Sequence, residues 1–148
     1  MLGDIVLFVH VLAGIVLLGP SGALPFLGRV RGSPPSPAVL RWADIMERQV
    51  AIFFGLQLLT GVALIFLRHY NRDFGAARWL HVSLVLFVIA AAVAVGYNRP
   101  RVHRARRLAE VGRAEEAERM LHPVEKTTGV VLGVLITAIV WLMVTRPG

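Results

Sequence analysis

The 148-residue sequence contains no cysteine, which excludes disulfides, iron–sulfur clusters and thiolate-bound metals. It holds no Ser–His–Asp set, no glycine loop of the phosphate-binding kind and no paired carboxylates, so hydrolase, kinase and glycosidase chemistry finds no footing. The first residues, Met1-Leu2-Gly3-Asp4, lack the basic segment that opens a secretory signal. Gly19-Pro20-Ser21-Gly22-Ala23 looks like a small-residue cleavage site, but without that segment the first apolar stretch is expected to remain as a membrane span. Acidic residues are also scarce, 9 against 16 Lys and Arg.

Apolar residues are abundant. The chain is 56% hydrophobic with a mean hydropathy of +0.67, too apolar for a soluble domain of this size. Four stretches carry most of it, residues 5–27, 51–67, 79–97 and 128–144. Each approaches the ~20 residues with which a helix crosses ~30 Å of hydrocarbon. Backbone groups in lipid must bond to one another, and these runs do not alternate as barrel strands do. The expected fold is therefore all-α: a single domain, a bundle of four transmembrane helices in contact with the lipid bilayer.

The basic residues set its orientation. Arg29, Arg31, Arg41 and Arg48 fall in the first connection, and Arg99, Arg101, Arg104, Arg106, Arg107, Arg113, Arg119 and Lys126 in the third. Only Arg68, Arg72, Arg78 and Arg146 lie on the other side. The positive-inside rule makes the first and third connections cytoplasmic and places both termini outside. This is the pattern of a multi-pass protein of the bacterial inner membrane. The pI near 11.4 then reports topology, not a nucleic-acid partner. Trp42, Trp79 and Trp141 suit interfacial depths.

The third connection, residues 101–121, is rich in Ala, Arg and Glu and should be a short helical hairpin broken at Gly112. Its interspersed glutamates suit a solvated hairpin better than a patch for anionic lipid. Pro20 and Pro25 can each kink the first helix. Gly32-Ser33-Pro34-Pro35-Ser36-Pro37 is a polar, proline-rich turn expected to break any helix. Small residues four apart, Gly19/Ala23, Ala92/Gly96 and Gly129/Gly133, let helices approach closely, within the bundle or in a homodimer.

Histidine carries the functional signal. His10 sits five residues into the first span, roughly 8 Å below the outer boundary. His81 opens the third span from the same side, His69 follows the second, and Met143 lies near the outer end of the fourth. An ionisable ring at such depth is by default a candidate functional group. Without thiolates, neutral imidazoles can bind haem iron, copper or zinc. Gly14, one turn below His10, leaves room for a flat macrocycle. Carboxylates are missing from the outer halves of the spans, which speaks against a hard-cation site. The alternative is that His10 hydrogen-bonds across the bundle while His81 and His69 are interfacial. Gln57, Thr60, Ser83 and Thr137 are further polar groups of the kind that bond between helices.

These residues resemble the small four-helix membrane proteins that include the HemJ protoporphyrinogen oxidases and the wider CopD-like group. Val9-His10, Leu24-Pro25 with Arg29, Met46-Glu47-Arg48, Trp79-Leu80-His81-Val82-Ser83-Leu84 and Val144-Thr145-Arg146-Pro147 stand where that pattern has its motifs. The resemblance implies b-type haem bound through His10 and His81 between spans 1 and 3, with Gly14 and Ser83 beside it. The role would be electron transfer or porphyrin handling, with a tetrapyrrole or quinone as partner. One position departs: Ser83 replaces a lysine of the HemJ pattern, which removes a charge an oxidase could use for a carboxylate or a proton. The CopD likeness implies copper held by His10, His81 and Met143. A third reading is an accessory subunit without a cofactor.

Overall fold

The computed structural model describes residues 1–30, 35–67 and 77–145, with backbone alone for 18–30, 126 and 127. Arg31, Gly32, Ser33, Pro34, Arg68, His69, Arg72, Asp73, Arg146 and Pro147 lie outside the described residues. Every described element is helical. They are α1 (Leu2–Val30), α2 (Pro37–Leu67), α3 (Arg78–Ala91), α4 (Arg99–Glu110), α5 (Ala114–Pro123) and α6 (Gly129–Thr145). Wider π turns join α3 to α4 (Ala92–Asn98) and α5 to α6 (Val124–Thr128). The helix of α1 runs on through Pro20 and Pro25.

Among the described residues, two helices are long and apolar enough to cross a membrane: α2, and the continuous rod Arg78–Glu110. Only 11% and 17% of their most apolar stretches is buried within the protein, so most of that apolar surface faces outward. Water would oppose such a surface; lipid accommodates it. Leu2–Leu17 and Gly129–Thr145 are shorter apolar helices.

The π turns have local causes. The first leads into Pro100, which has no N–H to return to the preceding turn, and the N–H of Arg99 reaches back to the Ala94 carbonyl. The second follows Pro123, and the Thr128 hydroxyl donates to the carbonyl of Val124 at 2.9 Å. Between α4 and α5, Gly112 takes φ +83°. The Arg113 N–H bonds the Leu108 carbonyl at 2.9 Å and the Gly112 N–H that of Ala109 at 3.1 Å, which closes α4 with a Schellman motif. The break expected at Gly112 is there, with a short helix on either side.

Helix α1 packs on α2 and α6, α6 on α3, and α2 on α4 and the first π turn. One apolar core gathers Leu40, Ala43, Val102, Ala105 and Leu121 toward the α4–α5 hairpin. A second gathers Leu17, Val50, Phe54, Ala90, Ala94 and Leu132 midway along the bundle. There the Phe54 and Phe87 rings sit 5.3 Å apart, tilted by 57°. Beyond this level α2 and α3 make little contact, and the space between them is a cavity.

Candidate functional site

The cavity measures about 640 Å³ and lies among α1, α2, α3 and α6, a volume typical of small-molecule sites. Its described lining is apolar apart from His10, Gln57 and Ser83, with Trp79 and Met143 near one end. Val11, Leu58, Val62, Leu84, Val140 and Val144 line it and are also exposed on the outer surface.

His10 is 8% exposed and turns toward α2. Its Nδ1 lies 2.8 Å from Thr60 Oγ1. With that hydroxyl donating to the Leu56 carbonyl, 2.8 Å away, it accepts from His10 in the tautomer protonated on Nδ1. Nε2 is then the basic nitrogen, and the Gln57 side-chain N–H donates to it at 3.0 Å. The ring edge between the nitrogens packs on Gly61: a Cβ there would stand 3.3 Å from His10 Cε1. Glycine is what lets the imidazole approach this helix.

Gly14, one turn along α1, faces the Gln57 amide with less constraint, since a Cβ there would make only ordinary contact with it. A Cβ at that position would lie 3.5 Å from Gln57 Nε2, so the room beside His10 accommodates the Gln57 amide. Gln57 Oε1 is buried without a partner, and so is Ser83 Oγ, 1% exposed. The first sits on the α2 wall and the second on the α3 wall of the same cavity. Buried polar atoms in this condition cost free energy that a bound molecule or water can recover.

His10, Gly14, Ser83 and Met143 are thus brought to one cavity, or to its wall, while half-buried His81 is not among its lining residues. The described residues contain no group of three or more His, Cys, Asp or Glu side chains placed to hold a metal ion. Gln57, Thr60 and Gly61 matter more than their sequence positions suggest. Their signal was there in Gln57-Leu58-Leu59-Thr60-Gly61: two hydrogen-bonding groups three apart, hence on one helix face, beside a glycine.

An all-helical fold with long, outward-facing apolar rods is that of a helical membrane protein. The chain belongs to the family described as predicted integral membrane protein (DUF2269), whose family model matches residues 4–147. No curated protein and no solved structure matches it.

Proposed function

We propose that this protein crosses the bacterial inner membrane four times, with both termini outside, and holds a flat redox cofactor, b-type haem, in the cavity through His10. The observation that carries this reading is the state of His10. Its Nδ1 lies against Thr60 Oγ1 and its Nε2 against the Gln57 amide, at the wall of an apolar cavity. A histidine that ligates metal is commonly fixed in this way, with the far nitrogen donating to the protein. Ligation would require Gln57 to give up Nε2. His10 is the histidine of the described lining that would hold such a group, since His81 does not line the cavity. Bound haem would supply one-electron chemistry at its iron. The described lining carries no charge, so the carboxylates of a tetrapyrrole would look to cations at the helix ends, such as Arg78 beside Trp79. The HemJ and CopD likenesses of the sequence agree with such a site, and Ser83 in place of lysine favours binding or electron transfer over oxidase chemistry.

Absorption spectra of the full chain, purified in mild detergent after expression with a haem precursor, test the reading. A Soret band with sharp reduced α and β bands, lost in His10→Ala, is the expected result. A colourless, metal-free preparation would overturn it in favour of an accessory subunit. Copper is the second reading, favoured by the presence of His10 and Met143 on the same cavity; it predicts metal bound without a Soret band.

A further inference from the structure

A second polar site lies about 15 Å along α2 from the cavity, as ten residues of helix separate Gln57 from Glu47. Glu47 is 2% exposed and its Oε2 has no hydrogen-bond partner. Asn98 is fully buried, and neither its Oδ1 nor its Nδ2 is bonded. Each interrupts an apolar stripe at the same level. On α2, Glu47 falls between Ala43 of one core and Val50 of the other. On the Arg78–Glu110 rod, Asn98 falls between Val102 of the first core and Ala94 of the second. The two helices run antiparallel and pack together here, and the shared cores on either side put Glu47 and Asn98 at one level. Glu125, 6% exposed, comes in at the same level from the second π turn. Both π turns of the molecule thus flank this polar layer, a placement such turns often share with functional sites.

The missing partner must both donate and accept. Asn98 Nδ2 needs an acceptor and Asn98 Oδ1 a donor, while Glu47 Oε2 needs a donor when ionised and an acceptor when it carries the proton. A metal cation could serve only the oxygens, so the amide speaks for water. A path to it starts at the hairpin surface. His103 Nδ1 lies 3.2 Å from Asp44 Oδ1, with the His103 side chain 41% exposed and that of Asp44 18% exposed. Asp44 is three residues, about one turn, before Glu47 on α2. Among the described residues, the charged groups facing this region include Asp44 on α2 and Arg99 on the rod, His103 and Arg106 bonded to Asp44, and buried Glu125.

We propose that Glu47 and Asn98 hold internal water between them, forming a proton-exchange site reached from the α4–α5 side through His103 and Asp44. A proton leaving the Glu47 carboxyl passes to this water and one from solvent replaces it, with no net change of charge. The site is independent of what occupies the cavity.

Infrared spectroscopy of the full chain in mildly acidic buffer tests this. The carboxylic C=O band that disappears in Glu47→Gln identifies the group, and its shift after transfer to D2O gives the exchange rate. We expect exchange within minutes in the unaltered chain and at least tenfold slower exchange in Asn98→Leu. Asp44→Asn, a change close to the surface, should slow it as well and serves should Asn98→Leu not fold. A Glu47 band that stays unshifted while surface carboxyls exchange, or one that exchanges at the same rate in Asp44→Asn, would overturn the proposal.

Discussion

At the scale of single residues, the chemistry of His10 is decided by a hydroxyl with a prior commitment. With Thr60 donating to Leu56, it accepts from the imidazole in the Nδ1-protonated tautomer, which leaves Nε2 to accept from Gln57. Thr60→Val keeps the shape and removes the acceptor, stranding the Nδ1–H. The expected loss is about 0.5–2 kcal/mol, read by thermal unfolding in detergent. If haem is bound, the variant should also shift the Soret band by loosening the ring. Gly61 is a steric requirement. Gly61→Val places side-chain carbon against a ring that already stands 3.3 Å from the nearest possible Cβ. Overpacking of this kind costs about 1–3 kcal/mol, and the same melting experiment should show a lowered midpoint. An unchanged midpoint would mean that the ring moves aside freely.

At the scale of elements, the α4–α5 hairpin is tied to α2 by one carboxylate. Asp44 Oδ2 accepts from Arg106 at 2.7 Å while Oδ1 meets His103, and Arg106 also approaches Glu110 at 3.6 Å. Asp44→Ala strands a partly buried guanidinium, and loss of a hydrogen bond to a charged group costs about 1.5–3 kcal/mol. Limited proteolysis near Gly112 should become faster in this variant. Gly112→Ala tests the other end of the hairpin, since an L side chain at φ +83° is strained by about 1–2 kcal/mol. The sequence anticipated the hairpin and its break because Ala, Arg and Glu favour helix and Gly112 does not. The π turns were less legible: Pro100 and Pro123 were visible, but whether a helix stops, kinks or widens at proline depends on what its neighbours can bond.

At the scale of the molecule, the four apolar stretches and the biased arginines predict that residues 99–126 lie inside and the N-terminus outside. The cysteine-free chain makes this easy to check. Single substitutions Asp4→Cys and Val111→Cys, treated on intact cells with a membrane-impermeant thiol reagent, should label at Asp4→Cys alone; labelling at Val111→Cys before permeabilisation would invert the topology.

Composition and hydrophobic run length determined the helical membrane character, because the need to satisfy backbone groups in lipid leaves few other solutions for apolar runs of this length. Membership of the DUF2269 family agrees with it. The depth of His10 likewise follows from counting residues. What only the tertiary structure decided is rotation. Each helix can turn about its axis without changing its hydropathy, and packing fixes that angle. Packing turned His10 toward Gln57 and Thr60 on α2 and brought Ser83 to the cavity while leaving His81 off its lining. It also set Glu47 and Asn98 at one level, two unremarkable positions in the sequence that become a buried polar layer once α2 and the rod pack antiparallel.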